Sequence, residues 1–186
     1  MFDLAYPLQD VVNINGKDYE LNLAFDNVLR LIDLLSDEDF NDIEKIVISL
    51  KMLTGEQFDI PFEKQEEILY EVFKNFIDVG SSSAPLTDIQ GNPLPTEVVS
   101  GGKKTYDIKQ DAKYIYASFM QDYGIDLFEQ QGKMHWHKFS ALLEGLSEDT
   151  KFKKVIEIRT MELPSGKGSG KQREQIKKAK RQYELK

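Results

Sequence analysis

The sequence predicts a mostly α-helical protein in which an N-terminal β-hairpin is followed by about six helices in one or two small lobes and a basic C-terminal tail. Three observations indicate this fold class. Short alternating apolar runs flank Asn15-Gly16, and apolar residues elsewhere recur at the three- and four-residue spacing of helices. Residues 167–186 carry eight Lys or Arg and two Glu, a net charge of +6 within a chain of −8, so residues 1–166 carry −14.

The hairpin is predicted from a tight turn at Asn15-Gly16. Both residue types tolerate the positive φ that a type I′ turn requires, and Asn-Gly is the strongest short hairpin signal. The apolar residues of the two predicted strands are Val11, Val12 and Ile14 before the turn and Tyr19, Leu21 and Leu23 after it. A two-stranded hairpin is marginally stable alone, so we expect it to pack against another element.

Three helices are predicted between the hairpin and residue 79, and residues 1–79 form the first expected lobe. The first helix takes Asp26 as its N-cap, the second is capped within Ser36–Asp39 and ends at Gly55, and the third begins at Pro61. The main apolar stripe of the second helix consists of Ile43, Ile46, Val47, Leu50 and Leu53.

Residues 80–105 are predicted to be a flexible loop or linker, with a folded binding loop as the alternative, because they combine three prolines and three consecutive serines without a helical period. A second helical lobe is predicted over 106–164, followed by a Gly/Ser hinge and the basic tail over 165–186. The apolar stripe of its first helix consists of Ala112, Ile115, Tyr116, Phe119, Met120 and Tyr123. Gly124 ends that helix, and Phe128 lies in the connector that follows it.

Five residues are candidate partner contacts. Ile48 and Met52 form a second apolar side of their helix, which either packs against the hairpin or meets a partner. Tyr114 lies nearly opposite the stripe of its own helix, where it is either an ordinary exposed tyrosine or a contact residue. Trp136 is part of a helical apolar face, and Arg159 lies within the stripe of the last core helix, where it either pairs with an acidic residue or extends to water.

The residue types leave little for catalysis. The chain has no Cys, which excludes disulfides, thiolate metal sites and a cysteine nucleophile. His135 and His137 are its two histidines, and residues two apart on a helix point in divergent directions, so both rings should not reach one ion. Gly166–Lys171 lacks the spacing of a phosphate-binding loop. We therefore predict a protein that is not an enzyme and that has no metal or cofactor site.

The basic tail could neutralise phosphates, but the acidic remainder of the chain would repel a nucleic acid, so we do not expect nucleic-acid binding. The alternatives are that the tail contacts an acidic protein, folds back on its own body, or is disordered. No apolar run approaches the length of a membrane span, and the N-terminus lacks a signal-peptide pattern. These features predict a soluble, cytoplasmic protein with no membrane partner.

Five stretches resemble a family of proteins from long-tailed bacteriophages and prophages of Gram-positive bacteria. They are FDLAYPLQD (Phe2–Asp10), LAFDNVLRLIDLL (Leu23–Leu35), EKQEEILYEVF (Glu63–Phe73), QDAKYIYASFMQDYGIDLFEQQGKMHWHKFSALLEGL (Gln110–Leu146) and FKKVIEIRTMELP (Phe152–Pro164). The resemblance covers nearly the whole chain. In such phages the gene typically lies just before that of the tape measure protein, which is the position of the tail assembly chaperones.

The resemblance implies a role without catalysis. Tail assembly chaperones bind the long, helical, aggregation-prone tape measure protein, keep it soluble and help to recruit tail-tube subunits. The expected partners are thus the tape measure protein, and further candidates are the major tail tube protein and a second copy of this chain. The expected location is the cytoplasm of the bacterial host, with the protein absent from the mature virion. The alternative is a minor structural component of the phage tail or virion.

Overall fold

A computed structural model describes residues 4–8, 10–77, 105–165 and 170–186. Its mostly helical content and N-terminal hairpin confirm the predicted fold class. The elements are β1 (Val11–Ile14), β2 (Lys17–Glu20), α1 (Phe25–Ser36), α2 (Asp42–Thr54), α3 (Phe62–Val72), α4 (Ala112–Tyr123), α5 (Trp136–Glu144), α6 (Lys151–Thr160) and α7 (Gly170–Gln182). A π-helical turn, Phe73–Ile77, extends α3. Apart from Thr105, the predicted loop over 80–105 lies outside the described residues.

The described residues fall into two compact units that alternate along the chain. Unit 1 comprises those within Met1–Ser100 and Gln131–Ala141, and unit 2 those within Gly101–Gln130 and Leu142–Lys186. This grouping differs from the two consecutive lobes expected over 1–79 and 106–164, because an 11-residue segment from the second half of the chain packs with unit 1.

The hairpin forms as predicted. β1 pairs with β2 in antiparallel register, with Val12 opposite Tyr19 and Ile14 opposite Lys17. Asn15 and Gly16 have φ values of 53° and 81°, the two positive values that a type I′ turn needs. Val12 and Ile14 are buried. Their burial, with that of residues beyond β2, joins the hairpin to the core of unit 1.

The predicted N-cap of α1 is wrong. The helix begins at Phe25, after Ala24, which makes no side-chain cap hydrogen bond. Asp26 lies in the first turn, where Oδ1 accepts a hydrogen bond from the backbone N–H of Gly132 (2.7 Å) and Oδ2 pairs with Arg30 (2.9 Å). The carboxylate therefore serves a tertiary contact instead of the free N–H groups of its own helix.

The predicted cap of α2 within Ser36–Asp39 is also wrong, whereas its predicted end is confirmed. Asn41 caps the helix and forms a reciprocal capping box with Glu44, in which each side chain accepts from the other's backbone N–H. Asp37 instead follows the last turn of α1 as its C-cap. Gly55 adopts the left-handed conformation at φ 76° and ends α2.

A short antiparallel bridge ties residues 131–141, which we call the returning segment, to the start of α1. The Phe25 N–H donates to the Met134 carbonyl (2.9 Å), and the Trp136 N–H donates to the Leu23 carbonyl (2.8 Å). The ring of Phe139 stacks on that of Phe25 with centroids 4.9 Å apart. This bridge fixes where α5 begins.

Unit 2 is built on the packing of α4 against α6. Phe119 and Val155 are fully buried, and the buried Ser118 hydroxyl accepts from the Phe152 N–H (3.1 Å) while it donates to a carbonyl of α4. Thr150 caps α6, and Gly124 ends α4 at φ 65° as predicted. The end of α4 and the start of α6 are thus set by local residues.

The indole of Trp136 makes a testable core contact. Its Nε1–H donates to the Ile77 carbonyl (2.9 Å) in a buried position. Trp136→Phe removes the donor and part of the ring, so we expect the free energy of unfolding of unit 1 to fall by about 2 kcal/mol. Urea denaturation followed by circular dichroism measures this, because the variant has no tryptophan fluorescence. The matched control Lys138→Ala, an exposed residue of the same helix, should change stability by less than about 0.5 kcal/mol. Equal stability of Trp136→Phe and the parent would contradict the contact.

Candidate interaction surfaces

Ile48 and Met52, the first two candidate contact residues, are half-buried on α2. The buried side chain of Asn27 donates to the Met52 carbonyl (3.0 Å) and to the Asn22 carbonyl (2.9 Å). The bond to Met52 ties α1 to the last turn of α2, and the bond to Asn22 ties α1 to the segment before it. The backbone at Met52 is thus part of the internal packing of unit 1, and a partner contact by the two side chains stays a prediction.

The assignment of Ile43 to the core stripe of α2 is wrong. Its side chain is 58% exposed, and Phe40, just before the helix, is 38% exposed. Helical spacing placed Ile43 in line with the buried Ile46 and Leu50, but it lies in the first turn, where the stripe extends beyond the core.

Trp136 is 3% exposed and lies in the core of unit 1. Its ring stacks on that of Phe139 at 5.7 Å, and its indole N–H is already bonded to Ile77. A partner role for Trp136 stays a prediction, and the side chain would have to leave this core position to fulfil it.

Arg159 is the most highly connected candidate residue in unit 2. Its guanidinium forms a two-pronged pair with the carboxylate of Asp111, with Nη1–Oδ2 at 2.6 Å and Nη2–Oδ1 at 2.7 Å. Asp111 is 1% exposed, and its Oδ2 also accepts from the Asp107 N–H (3.1 Å). Arg159 donates further to the carbonyls of Thr105 and Tyr183. Of the two alternatives for this arginine, pairing with an acidic residue is therefore confirmed. The sequence did not indicate which acid would pair with it, because Asp111 lies 48 positions away.

Tyr114 and the end of the basic tail meet in unit 2. The tail forms α7, and Tyr183 just after it packs edge-on against the Tyr114 ring with centroids 5.9 Å apart. The Nζ of Lys151 lies 2.9 Å from the Tyr183 hydroxyl and 4.9 Å from the ring centroid. The Nζ of Lys180 donates a hydrogen bond to the Arg159 carbonyl (3.1 Å). Among the alternatives for the tail, the structure shows the one in which it folds back on its own body.

The last residue adds a second anchor for the tail. The Gln110 side chain donates to the Lys186 carbonyl (2.8 Å) and accepts from the Lys186 N–H (2.9 Å). No residue of α7 is buried, so the helix is held at its C-terminal end by Tyr183 and Lys186 more than by an apolar face.

An exposed apolar patch, which we define as Tyr116, Met120 and Phe128, lies on α4 and the turn after it. Phe128 is 70% exposed and Met120 is 42% exposed, so the predicted apolar stripe of α4 reaches the surface at Met120. The Phe128 ring lies 5.3 Å from the half-buried Tyr116 ring. A single carboxylate, that of Asp126, accepts from the Tyr116 hydroxyl (3.1 Å) and from the Phe128 N–H (2.9 Å). Sequence reasoning missed Phe128 because the connector has no periodicity.

The environment of the Tyr116 hydroxyl in this patch is negatively charged. The pKa of Tyr116 is raised, first because its hydroxyl donates to the Asp126 carboxylate, then through partial desolvation and the negative charges of Asp126 and Glu129. The Asp126 carboxylate is thus in direct contact with the Tyr116 hydroxyl, and the charge of Glu129 adds to the negative environment of that group.

The two histidines lie closer together than expected. His135 precedes α5 in the bridge to Ala24, and its ring centroid is 5.0 Å from that of His137, so the expectation that the rings diverge on a helix is wrong. Nδ1 of His135 accepts from the His137 N–H (3.0 Å), and Nε2 lies 2.8 Å from Oδ2 of Asp10. Burial lowers the pKa of His135, with Asp10 opposing this shift and His137 and Lys138 adding to it. In the described part of the chain, no group of three or more His, Cys, Asp or Glu side chains is arranged to hold a metal ion.

A comparison with known protein families identifies the family of this chain. The family described as Bacteriophage Gp15 protein matches residues 5–185. The chain belongs to the bacteriophage Gp15 protein family. Comparison with curated proteins and with solved structures gives no match. Within the described residues of this Gp15-family protein, no helix has both the length and the apolar character needed to cross a membrane.

The Arg159–Asp111 pair generates a stability prediction for this Gp15-family protein. Arg159→Ala leaves the buried Asp111 carboxylate without its cation, so we expect unfolding of unit 2 to become easier by about 3–5 kcal/mol. Chemical denaturation monitored by circular dichroism measures the loss. The matched control is Lys154→Ala, on the same helix as Arg159, which breaks an exposed pair with Asp149 and should cost less than about 1 kcal/mol. A similar small effect for both variants would show that the buried pair is not a stabilising contact.

The anchoring of the tail by Tyr183 generates a second prediction. Tyr183→Ala removes the ring contact with Tyr114 and the hydrogen bond with Lys151, so we expect the backbone amides of α7 to exchange with solvent roughly tenfold faster. Hydrogen–deuterium exchange with mass spectrometry gives the rates. Gln182→Ala, an exposed neighbour, is the control and should leave them unchanged. Unchanged exchange in Tyr183→Ala would mean that other contacts hold α7.

Proposed function

We propose that this Gp15-family protein is a phage tail assembly chaperone that binds the tape measure protein, keeps it soluble and assists assembly of the tail tube without catalysis. The observation that carries this proposal is that large apolar side chains remain exposed in both helical units of a phage protein. Ile43 and Phe40 are the examples in unit 1, and Phe128 and Met120 are those in unit 2.

Exposed apolar side chains suit a protein that covers the apolar faces of another chain. Contiguous apolar patches on a protein surface commonly mark binding sites for other proteins. A long helical partner presents its apolar side chains at helical spacing, and such a helix can lie against an apolar groove or edge. The patch of Tyr116, Met120 and Phe128 offers this kind of surface.

The charge of the chain supports the same role. Residues 1–166 carry a net charge of −14, which would keep a complex with an aggregation-prone partner dispersed through mutual repulsion. In this role the protein acts in the cytoplasm of the bacterial host. It leaves before the virion is complete, when tail tube subunits take its place on the tape measure protein. Self-association would add further copies of each weak site along the partner.

Co-expression tests the proposal. The tape measure protein of the same phage or prophage is produced alone, with this chain, or with an unrelated acidic helical protein of similar size as the control. We expect only this chain to increase the soluble fraction of the tape measure protein several-fold and to co-purify with it. An equally insoluble tape measure protein in all three cultures would contradict the chaperone role.

Mass spectrometry of purified virions provides a separate check on the same proposal. A chaperone that is displaced during assembly should be missing from the particles, whereas known tail proteins in the same sample serve as positive controls. Detection of the chain at a fixed ratio to the tail tube protein would favour a minor structural component of the tail.

A further inference from the structure

We propose that the patch of Tyr116, Met120 and Phe128 in unit 2 is the docking site for an amphipathic helix of the tape measure protein whose apolar stripe is flanked by Lys or Arg. This inference rests on the proposed function and specifies which surface performs it and which partner chemistry it selects.

The patch is organised before any partner binds. The Asp126 carboxylate holds the Tyr116 hydroxyl through one oxygen and the Phe128 backbone N–H through the other, at 3.1 and 2.9 Å. The two rings therefore stay together at 5.3 Å although Phe128 is 70% exposed. A site whose side chains are already ordered loses less conformational entropy on binding. Aromatic residues and methionine are also enriched at protein interfaces.

The charges around the patch favour a basic partner. The Asp126 carboxylate accepts the hydrogen bond of the Tyr116 hydroxyl, and the negative charge of Glu129 also acts on that hydroxyl. The one cation of α4, Lys113, lies over the Tyr114 ring at 4.9 Å to its centroid. An apolar stripe flanked by Lys or Arg would thus meet apolar side chains in the centre and carboxylates at the rim.

A helix is the form of partner that fits this surface. The described residues of unit 2 contain no β-strand, so an extended segment could not add to a sheet edge there. The contact must instead be made between side chains, as when a helix lies along the edge of another helix.

The size of the patch indicates weak binding at each site. An aromatic side chain buries about 150–250 Å². Three side chains therefore provide less than the roughly 800 Å² per partner of a stable interface. A single copy would bind one helix of the tape measure protein reversibly, and several copies along its length would together keep it covered. Such contacts can be displaced one by one when tail tube subunits arrive.

Two exposed substitutions test the site in the full-length chain. Phe128→Ala removes the most exposed ring of the patch, and Met120→Lys places a positive charge where a basic helix would dock. We expect each variant to co-purify about tenfold less tape measure protein than the parent chain at equal expression. Both positions are solvent-exposed, so the melting temperature should remain close to that of the parent, and measuring it separates lost binding from lost folding.

The matched control is Val11→Ala, which removes a similarly exposed apolar side chain (46% exposed) from the hairpin of unit 1 and should leave recovery of the tape measure protein unchanged. If the parent chain binds the tape measure protein and both unit 2 variants bind it equally well, this inference fails and the proposed function stands. Equal losses in all three variants would also contradict it, because binding would then not be specific to the patch. If the parent chain itself does not bind, both fail.

A second copy of the chain is the competing occupant of the patch. Light scattering after size-exclusion chromatography gives the oligomeric state of the parent and of Phe128→Ala. A change in oligomeric state with undiminished binding of the tape measure protein would assign the patch to self-association and overturn the inference.

Discussion

The arrangement of unit 1 depends on two backbone hydrogen bonds between segments more than 100 residues apart. They join Phe25 to Met134 and Leu23 to Trp136, and they set the start of both α1 and α5. Without the returning segment, residues 131–141, the first helix would lack both this bridge and the contact between Asp26 and the Gly132 N–H. The hairpin, which is marginal alone, lies directly before the bridge. The N-terminal half of the chain therefore does not contain all of the core that it needs.

This dependence explains which parts of the fold the sequence could predict. The Asn15-Gly16 turn and the helix ends at Gly55 and Gly124 follow from the backbone preferences of single residues, and all three are confirmed. Asp26 looked like an N-cap by the same local rules. Its carboxylate is instead engaged with a residue 106 positions away, a contact that no local preference encodes. The place of residues 131–141 in unit 1 depends on such long-range contacts for the same reason.

The candidate site shows a related limit. Helical spacing identifies residues that share a face, but it does not say where the neighbouring element stops covering that face. Met120 belongs to the same helix as the buried Phe119, yet it lies at the edge of the stripe and is 42% exposed. Trp136 shared a predicted apolar face and proved to be fully part of the core. Phe128, the most exposed aromatic ring of unit 2, lies in a connector whose sequence has no helical periodicity. Its contact with the Tyr116 ring, which makes it part of a patch, is visible only in the structure.

The basic tail shows why charge along the chain is a poor guide to its packing. A helix rich in Lys and Arg is held in unit 2 partly by other cationic side chains, Arg159 and Lys151. Repulsion does not prevent this, because the cations meet the C-terminal carbonyl end of α7 and the face and hydroxyl of Tyr183, all of which carry partial negative charge. Arg159 is in turn neutralised by Asp111. The net charges of −14 and +6 therefore belong to two stretches of sequence, residues 1–166 and 167–186. The structure nevertheless places the docked tail and part of the acidic stretch in one folded unit.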